Sequence, residues 1–186
     1  MQKEVLLGDL IEKTENAVKC IQEWKVCSDT TLNQMPADGA WSVFQCIEHL
    51  NLYSEHYVPA LEQYSMSSNL QKSNFYTSGW LWGRFANTML LDSSRLRIQT
   101  FRDKEPASDP LDKKVFEVFL DYQDRLMKVL RAGVDLDLDK RHVPLSLSPL
   151  LKMKLGDGLC LQVYHNERHI LQAKQVLKSI ANDDLD

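Results

Sequence analysis

Apolar residues recur at three- and four-residue intervals in four separate stretches of the chain, the period of helices that each bury one face. In the first stretch, from about Lys3 to Trp24, Val5, Leu6, Leu10, Ala17, Ile21 and Trp24 form one stripe with charges between them. A polar stretch with Pro36 and Gly39 follows, and Ser42 then stands directly before a new periodic run, as an N-cap does. That run carries Val43, Ile47, Leu50, Tyr57 and Leu61, and Pro59 predicts a kink where it removes a backbone donor. A third helix is predicted from about Leu111 to Arg131, with Val115, Phe119, Tyr122, Leu126 and Leu130 on one face and Gly133 just beyond its end. The proline-bearing segment VPLSLSPLLKMKLGDG comes next. Gly156 or Asp157 is expected to begin the last helix, which runs to about Ile180 on a stripe of Leu159, Val163, Ile170, Ala173, Leu177 and Ile180.

No stretch shows a convincing strand alternation, so the reading is all-α, with helix packed on helix as a four-helix bundle. Between about Ser65 and Asp109 the periodicity fades, although LWGRFANTMLLDSSRLRI is compatible with a short helix. A connection of that length allows the second and third helices to run in the same direction, which a short loop forbids. A length of 186 residues fits a single domain, 1–186.

Composition narrows the partners. Hydrophobic residues are 44% and charged residues 26% of the chain, the balance of a water-soluble globular protein. The net charge is -4 and the basic residues are scattered, so the counterion-releasing stripe that nucleic-acid binding requires is missing. MQKEVLLGDLIEKTEN lacks the apolar run of a signal peptide, and no segment is long and apolar enough for a bilayer. A cytoplasmic location with no membrane partner is expected. Cys20, Cys27, Cys46 and Cys160 form no CxxC pair and read as reduced thiols.

The histidines carry the candidate chemistry. In YHNERHILQ, His165 and His169 are four residues apart, so their rings lie one turn apart on one helix face and can converge on one ion. His169 is displaced by roughly 40° from Ala173 on the helical wheel, beside the buried stripe. Asn166 stands where an HExxH protease carries its glutamate, so that reading fails. His49, beside the stripe of Leu50 and Tyr53 on the second helix, is the best third ligand. Three neutral imidazoles would leave a coordination position open for water or substrate. The competing reading is a set of core-edge histidines satisfied by ordinary hydrogen bonds. His56 lies too far along the helix to share the ion, His142 falls in a loop, and Cys46 is more readily an inert buried thiol than a ligand.

AWSVFQCIEHL, with Trp41 and Ser42 ahead of His49, and HNERHILQ together resemble the two motifs of the DinB-like superfamily of DNA-damage-inducible helical proteins, also called YfiT-like. The resemblance covers nearly the whole chain. It implies an up-down-down-up bundle with a long crossover between helices 2 and 3, and a metal, usually nickel or zinc, on the histidines that correspond to His49, His165 and His169. Some members are described as metal-dependent hydrolases. Others are similar to transferases or isomerases that activate a low-molecular-weight thiol such as bacillithiol or mycothiol, and members are often homodimers. One departure is Gln45, where the family frequently has glutamate; an amide cannot take up a proton near neutral pH.

The expectation is therefore a metal-dependent enzyme, a thiol S-transferase or hydrolase, acting on a small-molecule substrate by lowering the pKa of a bound thiol or water. The alternative is a non-catalytic metal-binding bundle with a stress-response or dimerisation role. Phe75, Tyr76, Trp80, Trp82 and Phe85 in the crossover would either wall a pocket or, the better reading, cover a bundle end, and Arg84 would hold an anionic group. Glu167 and Arg168 are expected to face solvent or a neighbouring helix, and Gln172 to orient a ligand or lie on the surface.

Overall fold

The structure is a computed structural model that describes residues 1–36, 39–66, 73–79, 102–140, 142–146 and 148–183. The short helix expected between 81 and 98, and Trp80, Trp82, Arg84 and Phe85, lie outside the described residues.

Four long helices form the bundle: α1 (Lys3–Trp24), α3 (Val43–Ser65), α4 (Lys114–Ala132) and α5 (Leu155–Asp183). A five-residue helix, α2 (Asp29–Asn33), sits in the polar stretch after α1, capped by the Ser28 side chain. A single turn is too short to show a period, which is why the sequence pattern does not reveal it. α1 packs on α4 and α5, and α3 packs on the same two helices. Side-chain bonds give the directions. Asn51 donates to the Val115 carbonyl and Arg125 pairs with Glu62, so α3 and α4 are parallel. Tyr164 donates to Asp9 and Lys13 to Glu167, so α1 and α5 are parallel. Gln162 meets Ser54 while His165 meets His49, which makes α3 and α5 antiparallel.

Parallel neighbours joined in sequence require the chain to return the length of the bundle. Residues 73–79 lie at one end, where the Lys3 amide donates to Asn74 and the Tyr76 amide to Met1. By Leu111 the chain is at the other end, exchanging two hydrogen bonds with Asn33 of α2.

The absence of strands is corrected. His142–Leu145 (β1) and Ser148–Lys154 (β2) form an antiparallel hairpin within the proline-bearing segment. Its prolines, Pro144 and Pro149, break the alternation that would have signalled it, and proline is tolerated on such edge strands. The last helix accordingly starts at Leu155, and Asp157 lies in its first turn. Pro59 is accommodated within α3, which continues to Ser65.

Apolar residues form two clusters. One holds Leu6, Leu7, Leu10, Leu61, Leu126, Leu130, Leu159 and Val163; the other holds Ala17, Ile21, Phe44, Ile47, Phe116, Phe119, Ile170 and Ala173. Between them lies a buried polar layer of Thr14, Ser54, Gln123, Gln162, Asn166 and the three candidate histidines. Two stripe positions are corrected: Val5 is 60% exposed while Leu7 is buried, and Tyr122 is half-exposed while Gln123 is buried. In the second case a hydrogen-bonding partner, Asn166, draws the polar residue inward. Among the described residues, no helix is long and apolar enough to cross a membrane.

Two glycines make opposite tests of this packing. A Cβ at Gly156 would run into the buried Tyr76 ring, whose hydroxyl donates to Asp157. Gly156→Ala is expected to destabilise by roughly 1–3 kcal/mol. Gly8, exposed within α1 with nothing within 4 Å of an added Cβ, should gain about 0.5–1 kcal/mol as alanine. Urea midpoints of the two variants should move in opposite directions.

Candidate metal centre

The N-terminus of α3 is fixed by a capping box: the Ser42 hydroxyl accepts from the Gln45 amide, and the Gln45 side chain accepts from the Ser42 amide. That fixes where the helix begins, with His49 two turns on. His165 and His169 point from α5 to meet it. The three ring centroids are 5.1, 4.6 and 4.7 Å apart for 49–165, 49–169 and 165–169. One nitrogen from each ring lies within 4.8 Å of the other two. The Nε2 atoms of His49 and His165 are 3.3 Å apart. A tetrahedral ion with bonds of about 2.0–2.1 Å separates its ligand nitrogens by roughly that distance.

The outward nitrogens are tied back. His49 Nδ1 donates to the Lys104 carbonyl at 2.8 Å, and because a carbonyl only accepts, the proton sits on Nδ1 and the Nε2 lone pair faces inward. His169 Nδ1 donates to Gln172 Oε1 at 2.8 Å, with the same result. Gln172 is thus an orienting partner of the histidine one turn before it. All three rings are buried. Burial is the main cause that holds His49 below its ordinary pKa, opposed by the Lys104 carbonyl and assisted by the Lys104 charge. Burial also drives His165 well below 6.5, helped by His169, His49 and Arg168, and brings His169 to about 3 with smaller effects from His49 and Arg168. The three imidazoles are therefore neutral at physiological pH, the form that ligates metals.

Two half-exposed aromatic rings flank the cluster. Trp41 lies 4.7 Å from His49 and 5.7 Å from His169; Tyr53 lies 5.0 Å from His49 and 4.6 Å from His165. Tyr53, one turn after His49, was within reach of the spacing argument. Lys104 was not, since it is 55 residues away in the chain.

The remaining candidates separate cleanly. Cys46 is buried, and desolvation pushes its thiol up to about 12, so it stays protonated and outside the cluster. Gln45 is engaged by the cap and by the Ala107 carbonyl, which accepts from its amide, so its side chain does helix-terminal work. Asn166 donates to Gln123 and accepts from Gln162. Glu167 pairs with Lys13 of α1 at 2.6 Å. His56 lies against Tyr57 and the Pro144 carbonyl, and His142 is exposed. Phe75 is 64% exposed and Tyr76 is buried against Met1 and Asp157, so both belong to the far bundle end.

A family model described as the DinB superfamily matches residues 12–173. Among solved structures, the chain resembles YfiT from Bacillus subtilis, described as a probable metal-dependent hydrolase with an unusual four-helix bundle topology. The two share 17% identity over 94% of this chain and 87% of that one, with a TM-score of 0.57. No curated protein matches.

Burying neutral imidazoles makes stability depend on pH. In the unfolded chain they protonate near 6.5; in the folded, metal-free protein they do so only at lower pH, near 3 for His169. Stability is thus fully present above pH 6.5 and is lost as pH falls towards the folded values. The urea midpoint of metal-free protein should drop between pH 7.5 and 5, and less steeply in His165→Gln. An unchanged midpoint would mean that the rings are hydrated.

Proposed function

We propose, from the premise that this chain belongs to the DinB superfamily, that it is a metal-dependent enzyme whose His49, His165 and His169 bind one divalent ion, zinc or nickel, and that it hydrolyses a small-molecule substrate. The observation that carries the reading is the orientation of the nitrogens. Two of the three rings spend Nδ1 on neutral acceptors, which leaves Nε2 unprotonated, one nitrogen from each of the three rings lies within 4.8 Å of the other two, and their neutrality is secured by burial. Histidines serving only the core would not need their lone pairs to converge. The description of YfiT as a probable metal-dependent hydrolase supports the same class of chemistry for a protein of this fold.

An ion held there would act as a Lewis acid and lower the pKa of a bound water, or of a low-molecular-weight thiol. The protein's own contribution is positional. Lys104 and Gln172 hold the Nδ1 protons and fix the ring planes. Trp41 and Tyr53 limit how a substrate approaches and exclude bulk water. The Tyr53 phenol, raised to about 12 chiefly by burial, keeps its proton and can donate a hydrogen bond but not act as a base. Among the described residues the centre includes no carboxylate. An ion bound there would supply the acidity of the nucleophile, and the three imidazoles would hold that ion.

Protein stripped and reloaded should take up one zinc or nickel ion per chain. His49→Ala and His169→Ala should each weaken uptake by more than about 100-fold, beyond the loss typical of an outer partner, with helical circular dichroism retained. Ester and amide hydrolysis should exceed that of His165→Ala. Turnover only when a thiol is supplied would assign the thiol-transfer reaction instead. Wild-type protein without metal uptake, and variants that unfold, would identify the histidines as core residues.

A further inference from the structure

The electrostatics around the three histidines go beyond what the proposed reaction needs. Histidine ligands in metal centres commonly donate to a carboxylate, which returns negative charge to the ion. Here the outer partners of His49 and His169 are a backbone carbonyl and a carboxamide, both neutral. The flanking charges that reach the rings are cationic: Lys104 acts on His49, and Arg168 acts on His165 and His169. A divalent ion in this buried site would keep its full charge as far as these residues are concerned. Concentrated positive charge in a desolvated place favours the approach of an anion.

Lys104 is placed to meet that anion. It lies on the single 3₁₀ turn Arg102–Lys104, which its carbonyl anchors to His49. Its ammonium is half-buried, donates to the Leu52 carbonyl at 2.9 Å, and stands 5.9 Å from the centroid of the Tyr53 ring. That same ring lies 5.0 Å from His49 and 4.6 Å from His165, so one aromatic ring is shared between the cation and the histidine cluster. An ammonium has three donors, and among the described residues only the Leu52 carbonyl accepts from this one. Asp103 precedes it in sequence, is exposed and acts by its charge on the Tyr53 phenol, and among the described residues no ion pair joins a carboxylate to Lys104.

We propose that the substrate bears a carboxylate, and that the Lys104 ammonium selects for it at the rim of the three-histidine centre. The flat, half-exposed rings of Trp41 and Tyr53 suit an aromatic or otherwise planar body next to that group. This rests on the metal-dependent reading above and adds the substrate's charge to it.

The test uses zinc-loaded full-length protein and two probes of equal shape, benzoate and benzamide, titrated calorimetrically at low ionic strength. Wild type should bind benzoate at least tenfold more tightly than benzamide. Lys104→Met should lose roughly tenfold or more in benzoate affinity, the scale of one charge-assisted hydrogen bond, with benzamide unaffected. Lys104→Gln retains a donor towards the Leu52 carbonyl but not the charge and should show the same loss, while Lys104→Arg should recover most of it. Zinc content should stay at the wild-type level in all three, because the carbonyl that holds His49 is unchanged. Equal binding of the two probes by wild type, or wild-type benzoate affinity in Lys104→Gln, overturns the proposal and leaves the metal reading standing. Zinc loss in Lys104→Gln would make Lys104 a structural anchor and also overturn it. A wild type that takes up no zinc removes both readings.

Discussion

The antiparallel contact between α3 and α5 is the constraint on which the rest of the molecule depends. It carries His49 against His165, and Ser54 against Gln162, through a layer where side chains are polar although water is excluded. Asn166 extends the layer to Gln123 of α4. Apolar stripes alone tolerate sliding, since one leucine layer resembles the next. A slide of one turn would leave these amides unpaired among leucines, at a cost of about 1–3 kcal/mol for each orphaned group. The polar layer thus sets the axial register of three helices, and the register places the imidazoles opposite one another.

The crossover has two roles that are easily confused. Topologically it allows α3 and α4 to run parallel, as the Asn51 and Glu62 pairings require. Locally, its last part docks on the helix that bears His49, Lys104 through both its carbonyl and its ammonium and Ala107 through Gln45, and on α2, Leu111 through Asn33. The tautomer of a buried histidine on α3 is therefore decided by a backbone carbonyl far away in sequence. Choosing a carbonyl and not a carboxylate has an electrostatic consequence, because the centre keeps whatever positive charge it acquires.

Much of this was legible in the chain itself. The helical period identified α1, α3, α4 and α5 because one-sided burial imposes it over several turns, and Ser42 marked a cap because its chemistry is local to three residues. The pairing of His165 with His169 is likewise a property of one helix. The hairpin was hidden by Pro144 and Pro149, and α2 was too short to show a period. Gln45 completes the cap locally, but its second bond, to the Ala107 carbonyl, joins segments far apart in the chain and left no local trace.

Sequence alone thus determined the four long helices, most of each buried stripe and the two-histidine spacing, because each arises from interactions within a few residues along the chain. Tertiary structure decided which nitrogens face one another, that Leu7 and Gln123 are buried while Val5 and Tyr122 reach solvent, and that Lys104 adjoins the cluster. Those outcomes depend on the rotation and register of helices joined by long connections. Rotation and register are settled by the sum of many packing and hydrogen-bond terms between distant segments, which no local pattern encodes.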